Sequence, residues 1–333
     1  MRIRRRSFAV LAATLVLAAA AGCAQTAAPT ANGPQSGAEA GFPLTVVNCG
    51  EDVVFDAPPQ RVILLESAPV TILDGLGVLD RVVARAGSFP DGYYDAELGG
   101  RIADIEMLSD DIDTAGHLTM STEVVLAHEP DLALGLPEGI SREALRDGGV
   151  NALVHPVYCP SGVGETTFDT LYDLVRDYGA IFDRTQEAET LITELQARVA
   201  AVEQQTATAA SRTAAVLYPS VGGGPLYAYG RASMAQPQLE AAGFRNVFAD
   251  AADRVFEVSV EELIARDPDV LILLHQGGED GVLEEVEHLP GAGALQAVEN
   301  GDVLLQLFNL TEPPTPLAVT GLERIVERFG AGS

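Results

Sequence analysis

The sequence lacks the residue patterns that most often perform covalent chemistry. It has no Gly-x-Ser-x-Gly nucleophile elbow, no His-Glu-x-x-His zinc motif, no Walker phosphate loop and no dinucleotide-binding fingerprint. Residues 222–224 form a glycine run, but Pro225 follows where a phosphate-binding helix would have to begin, so the run predicts a loop or turn. We therefore expect no catalytic residues and a protein that is not an enzyme. The alternative is a secreted hydrolase with a dispersed site.

The histidines give no indication of a metal site. They are scattered along the chain as His117, His128, His155, His275 and His288. A receptor for free zinc or manganese ions would need histidines and carboxylates in a cluster. A free-ion receptor is therefore the weaker alternative, and we expect neither a structural metal nor a resident cofactor.

The first residues predict export. An arginine-rich segment over residues 2–6 precedes an apolar run over residues 8–21, which is too short to span a bilayer as a helix. The Ala-Ala-Gly-Cys segment at 20–23 resembles the processing box of bacterial lipoproteins, with alanine in place of the usual leucine. We predict a signal peptide over 1–22 and lipidation of Cys23. The alternative is ordinary signal cleavage that leaves Cys23 a free thiol.

With Cys23 lipidated, Cys49 and Cys159 remain as an even pair in an oxidising compartment. Two thiols this far apart lack the local ligand spacing of zinc sites. We predict a disulfide between them. It would close a loop of about 110 residues, worth about 4–5 kcal/mol in the chain-entropy model.

The composition is strongly acidic. The chain has 48 acidic and 20 basic residues, for a net charge of −28, and it contains no tryptophan. Every basic side chain is arginine, and loss of the four signal arginines would leave a net charge of −32. Such a surface repels nucleic acid and anionic lipid headgroups, so neither is an expected partner. We interpret the acidity as a source of solubility rather than as a cation-binding device.

The periodicity predicts two α/β lobes with mostly parallel sheets, joined by a long rigid helix. Residues 23–41 are small and polar and predict a flexible tether. Apolar runs then alternate with helical patterns on both sides of a helical stretch, which has a break near 183–185. The predicted division is an N-terminal lobe over 42–166, a helical connector over 167–207 and a C-terminal lobe over 208–333.

One internal echo supports two related lobes. Residues 121–132 and 259–270 share a layout in which a serine caps a helix, a glutamate follows two residues later, and Pro-Asp ends the helix and starts a strand. One copy falls in each predicted lobe, with Glu123 and Glu261 at the equivalent position. We interpret the echo as a trace of duplication.

Taken together, these features resemble the substrate-binding proteins of iron–siderophore, haem and cobalamin ABC transporters. The resemblance covers roughly residues 44–329 and is carried by the Phe-Asp-Ala-Pro-Pro-Gln-Arg-Val-Ile segment at 55–63, by the two Glu…Pro-Asp segments, by the Ala-Gly-Phe-Arg-Asn-Val-Phe segment at 242–248 and by the cysteine pair. It implies an extracytoplasmic protein, lipid-anchored at the outer face of the cell membrane. Such a protein delivers its ligand to a permease dimer.

The resemblance assigns roles to particular residues. Glu123 and Glu261 match the family's docking glutamates, one per lobe, which pair with arginines of the permease. A carboxylate in the first turn of a helix stays charged and exposed, and two at a fixed separation suit a two-fold receptor. The alternative is that both are ordinary first-turn glutamates that stabilise their helices.

The ligand is expected in the cleft between the lobes, lined by the loops that leave the strands. Tyrosine and arginine suit the conjugated edges and charge of metal chelates. A ferric siderophore or similar iron chelate is the favoured ligand, with cobalamin and haem as alternatives. The predicted ligand-binding residues are Arg85, Tyr93, Tyr158, Tyr218, Tyr227 and Arg231, although either arginine could be an ordinary surface residue. Because Tyr227 and Tyr229 alternate, at most one of the two is expected to face the cleft.

Overall fold

The computed structural model describes residues 41–112, 118–162, 164–208 and 211–330. The signal peptide, Cys23 and almost all of the tether lie outside these residues, as does His117. Within the described ranges, no helix is both long enough and apolar enough to cross a membrane.

The described chain opens with the predicted β-hairpin. Strands β1 (Leu44–Asn48) and β2 (Glu51–Phe55) pair antiparallel, with Asn48 opposite Glu51. The turn places Cys49 at φ 56° and Gly50 at φ 81°. Positive φ is readily adopted by glycine, which suits Gly50, whereas Cys49 takes a conformation that is costly for a residue with a side chain.

The first lobe contains a five-stranded parallel sheet in the order β5-β4-β3-β6-β7. Its central strand β3 is fully buried, as the continuous apolar run predicts for a parallel sheet covered on both faces. The strands are β3 (Val62–Leu64), β4 (Val82–Ala86), β5 (Met107–Ser109), β6 (Leu132–Leu134) and β7 (Asn151–Leu153). The helices are α1 (Val70–Gly75), α2 (Ala96–Ala103), α3 (Thr122–Leu126) and α4 (Arg142–Asp147).

The connector is helical and contains the predicted break. Helix α5 (Phe168–Ile181) ends before Asp183, which takes φ 54°, and helix α6 (Thr185–Thr206) follows. The two helices pack against each other. Both helices contact α1. Helix α5 also contacts the hairpin, whereas α6 also contacts helices α7 (Ala235–Ala241) and α11 (Pro316–Phe329) of the second lobe. The connection is therefore a packed helix pair.

The second lobe contains a six-stranded mixed sheet in the order β11-β9-β8-β12-β13, with β10 paired to β8. Strand β8 is parallel to β10 and β12, and β12 is parallel to β13, while β9 and β11 run antiparallel at one side. The strands are β8 (Arg212–Pro219), β9 (Leu226–Tyr229), β10 (Phe244–Asn246), β11 (Val255–Glu257), β12 (Val270–His275) and β13 (Val303–Leu307). Its remaining helices are α8 (Val260–Arg266), α9 (Val282–Glu287) and α10 (Gln296–Asn300).

The echo noted in the sequence is also present in the structure. Helix α3 leads into β6 and helix α8 leads into β12, and each of these strands lies inside its own sheet. The two lobes share one apolar core, which runs from the first sheet through the connector helices to the second sheet and α11. The structure thus confirms a two-lobed α/β fold whose lobes are held together by packed helices.

Candidate functional site: the cleft between the lobes

A cleft of about 960 Å³ opens between the two lobes. Its walls are the segments that follow β3, β4 and β6 in the first lobe and β8, β12 and β13 in the second. These are carboxyl ends of parallel strands, where open α/β sheets bind ligands. The described tyrosines on its surface are Tyr158, Tyr218, Tyr227 and Tyr229.

Three of the predicted ligand-binding tyrosines are therefore in the cleft wall. Tyr158 is 37% exposed, and the ring of Tyr218 meets Phe308 edge-on with 6.0 Å between the ring centroids. Tyr227 lies on β9 together with Tyr229, and both are among the residues that border the cleft. Tyr229 is only 3% exposed and is packed in the apolar core, whereas Tyr227 is partly exposed. This difference agrees with the expectation that one of the two faces the cleft and the other is packed.

The other three predicted residues lie elsewhere. Arg85 is part of β4, stacks over the ring of Phe89 at 5.0 Å and donates from Nε to the carbonyl of Ile105 at 3.3 Å. Arg231 is half-exposed and pairs with Glu165 at 3.5 Å. Tyr93 is buried. None of the three is among the residues that line the cleft.

Tyr93 has a positioning role behind the cleft wall. Its hydroxyl oxygen accepts a hydrogen bond from the backbone N–H of Asn309 at 2.9 Å, and the Asn309 side chain donates to the hydroxyl of Ser67 at 2.9 Å. Ser67 and Asn309 both line the cleft. These bonds join the two lobes, because Tyr93 and Ser67 belong to the first and Asn309 to the second.

Arg254 is a cleft arginine that the sequence reasoning missed. Its Nη1 donates to a carboxylate oxygen of Glu312 at 3.1 Å, and its guanidinium lies over the ring of Tyr158 at 5.3 Å. Glu312 is completely buried and also accepts from the N–H of Met234 at 2.6 Å. The pKa of Glu312 is raised above its usual value by burial, and the charge of Arg254 and the hydrogen bond from Met234 offset this effect only in part. The buried carboxylate fixes the arginine against Tyr158, across the boundary between the lobes.

Glu66 brings a carboxyl group to the cleft from the end of β3. Burial raises the pKa of Glu66 from 4.5 to about 7. Gly135 makes room for this side chain, because a Cβ built at Gly135 would lie 3.3 Å from Cγ of Glu66. Gly135 takes φ 101°, a conformation that also favours glycine.

The disulfide and the hairpin fix the segment that carries Tyr158. The structure contains the predicted bond between Cys49 and Cys159. Asn48 beside it exchanges two hydrogen bonds with the backbone of Val154, at 2.8 and 2.9 Å.

His155 accepts from the N–H of Val157 at Nδ1, and its Nε2 lies 3.2 Å from the carbonyl oxygen of Pro314 in the second lobe. Burial lowers the pKa of His155 to about 4, so this histidine is neutral at pH 7.

The two glutamates of the echo are exposed on the first turns of α3 and α8. Hydrogen bonds from its own N–H and from the side chain of Ser121 lower the pKa of Glu123. At the start of α8, Ser259 caps the helix by accepting from the N–H of Glu262 at 3.2 Å. Both positions present a carboxylate to solvent, as docking requires.

Among the described residues, no cluster of three or more histidine, cysteine or acidic side chains could hold a metal ion.

Comparison with known proteins agrees with this architecture. The family model described as "Periplasmic binding protein" matches residues 62–306. The chain therefore belongs to the periplasmic binding protein family.

Among solved structures, an "ABC-type Fe3+-hydroxamate transport system" from Saccharomonospora viridis DSM 43017 is 57% identical, with a TM-score of 0.83, and the match covers 87% of this chain and 100% of that one. A periplasmic binding protein from Veillonella parvula DSM 2008 is 24% identical with a TM-score of 0.67, covers 86% of this chain and 91% of that one, and shows the shared fold. A curated vitamin B12-binding protein of Salmonella typhi is 26% identical over 160 residues, which span 48% of this chain and 57% of that protein.

Proposed function

We propose that this protein is the extracytoplasmic binding component of an ABC importer, and that it carries a ferric hydroxamate chelate in the cleft between its lobes. The observation that carries the proposal is the 57% identity to the Saccharomonospora protein, which is described as part of an Fe3+-hydroxamate transport system; the match covers 87% of this chain and all of that one. The family is one of substrate-binding proteins, and we propose that this member binds and releases its ligand without turnover.

The cleft suits such a ligand in size and lining. Its volume of about 960 Å³ is at the upper end of the range for small-molecule sites. The tyrosines on its walls offer flat apolar surface together with hydroxyl groups, which match a chelate with both hydrocarbon and carbonyl edges. Arg254 adds guanidinium donors beside Tyr158 for the hydroxamate oxygens.

The delivery step is proposed on the two exposed glutamates. Glu123 and Glu261 occupy equivalent first-turn positions in the two lobes, so a permease dimer with two-fold-related arginines could engage both at once. We further propose that the signal peptide over 1–22 is removed, that lipid on Cys23 anchors the protein, and that residues 23–41 act as the tether.

A binding titration tests the ligand. Because the chain has no tryptophan, its tyrosine fluorescence can be followed directly, and four of the eight tyrosines line the cleft. We expect a ferric trihydroxamate to quench this fluorescence to a one-to-one endpoint. Arg254→Ala should weaken binding and the matched variant Arg231→Ala should leave it unchanged. Saturation by cobalamin but not by the hydroxamate would instead support the cobalamin alternative, which the Salmonella protein's name favours.

A further inference from the structure

The carboxyl group of Glu66 is the cleft feature that the proposed function leaves unexplained. Glu66 lines the cleft, and no side chain or backbone group among the described residues donates a hydrogen bond to it or forms an ion pair with it. A poorly solvated carboxyl group without a partner destabilises the free protein, and a bound ligand can supply the missing partner.

The groups around Glu66 are mostly neutral. On the first-lobe side, Tyr158 and the connector residue Tyr178 are close enough for the Glu66 charge to raise the pKa of each hydroxyl, after the larger effect of desolvation of the hydroxyl itself. The ionisable or charged groups that face the cleft from the other elements are Tyr218, Tyr227, Tyr229, Arg254 and Glu138.

The described part of the cleft wall carries no surplus of positive charge. Among its described lining residues the charged ones are Glu66, Glu138 and Arg254. The arginine is already paired with the buried Glu312, so its charge is balanced from behind. The carboxyl groups of Glu66 and of the exposed residue Glu138 therefore have no cationic counterpart among the described residues of the cleft wall.

We propose that Glu66 selects the ligand by charge, pairing with a cationic or hydrogen-bond-donating arm of the chelate and disfavouring chelates that carry net negative charge. This inference rests on the proposed function and narrows the ligand from ferric hydroxamates in general to neutral or cationic ones. An ammonium within about 4–6 Å of a carboxylate lowers the pKa of that carboxyl by 1–3 units, which corresponds to at least a tenfold gain in affinity once the carboxyl group is ionised.

Binding of a cationic chelate should therefore strengthen as the pH rises. In the free protein, burial holds the pKa of Glu66 near 7, so at lower pH the cation must displace a proton. The affinity should increase by up to tenfold per pH unit over the one to three units below about pH 7, and it should level off above that pH.

Three ferric trihydroxamates that share one backbone test the proposal. Ferrioxamine B carries a pendant ammonium, its N-acetyl derivative is neutral, and its N-succinyl derivative ends in a carboxylate. At about pH 8 we expect the ammonium form to bind at least about tenfold more tightly than the carboxylate form. Glu66→Gln should remove most of this difference and the pH dependence. The matched variant Glu327→Gln, on the exposed face of α11, should keep both.

The possible results separate the two proposals. Equal affinities for the three chelates, or a ranking that Glu66→Gln leaves intact, would overturn the selection by Glu66 while the carrier function stands. If none of the three chelates binds the wild-type protein, the proposed function is overturned and the selection proposal with it.

Discussion

Replacing Glu66 by glutamine should stabilise the free protein at alkaline pH. Burial raises the pKa of Glu66 from 4.5 to about 7, so the folded protein holds this proton more tightly than the unfolded chain does. The protonated carboxyl group is tolerated in the fold better than the ionised one. The stability that comes from holding this proton is fully present below about pH 4.5 and is lost as the pH rises through about 7. The difference of about 2.5 units between the folded and unfolded pKa values corresponds to about 3 kcal/mol in the free energy of unfolding. This is an upper value, because cleft water reaches the carboxyl group.

The assay is urea denaturation of the wild type and of Glu66→Gln, at about pH 5 and about pH 8, followed by circular dichroism. The variant should gain up to about 2.5 kcal/mol relative to wild type on going from the lower to the higher pH. His155 acts in the opposite sense, because its lowered pKa removes stability as the pH falls from 6.5 towards about 4. That contribution is common to both proteins and cancels in the comparison.

Glu327→Gln is the matched control, since it removes one exposed carboxylate outside the cleft lining. Its stability relative to wild type should change by no more than about 0.5 kcal/mol between the two pH values. If Glu66→Gln behaves like this control, the carboxyl of Glu66 is well solvated, and the reasoning about an unpaired cleft carboxyl is refuted.

Further predictions concern the disulfide, the docking surface, the cleft arginine and the connector. Reduction of the Cys49–Cys159 bond should lower the free energy of unfolding by about 4 kcal/mol, since it closes a loop of 110 residues; an unchanged urea midpoint with reductant would contradict this. Replacing both Glu123 and Glu261 by arginine should abolish uptake by cells and leave the Kd for the chelate unchanged, and a weakened Kd would count against a docking role. Arg254→Ala should cost about 3–5 kcal/mol in thermal or urea unfolding, because its buried carboxylate partner loses its counter-charge; a loss below about 1 kcal/mol would show that the pair is solvated. Ligand binding should reduce the radius of gyration in X-ray scattering only slightly, because packed helices and hydrogen bonds join the lobes, whereas a large decrease would mean hinge closure.

The sequence predicted the elements whose pattern is strong. The hairpin, the buried strand β3, the strand β12 and the break in the connector at Asp183 were all expected from apolar periodicity and turn residues. Helix α2 and strand β5 were not, because α2 contains two adjacent glycines and β5 has only three residues. Short elements of this kind are held by their neighbours in the fold rather than by local propensity.

The site residues could be predicted only in part, because cleft position depends on contacts distant in the sequence. Tyr158 and Tyr218 follow or end elements that reach the cleft, so the strand-exit rule found them. The same rule selected Arg85, but stacking on Phe89 holds that arginine elsewhere. Arg254 precedes a strand and owes its position to Glu312, 58 residues further along the chain, and no local pattern signals that pairing.

The measurement that tests the central claim most directly is native mass spectrometry of the purified protein with an equimolar mixture of a ferric trihydroxamate, haem and cobalamin. We predict that one trihydroxamate chelate binds per chain, and that the chelate released on denaturation is chemically unchanged. Selective capture of haem or cobalamin, or recovery of a chemically altered chelate, would contradict the assignment of this protein as a ferric hydroxamate carrier.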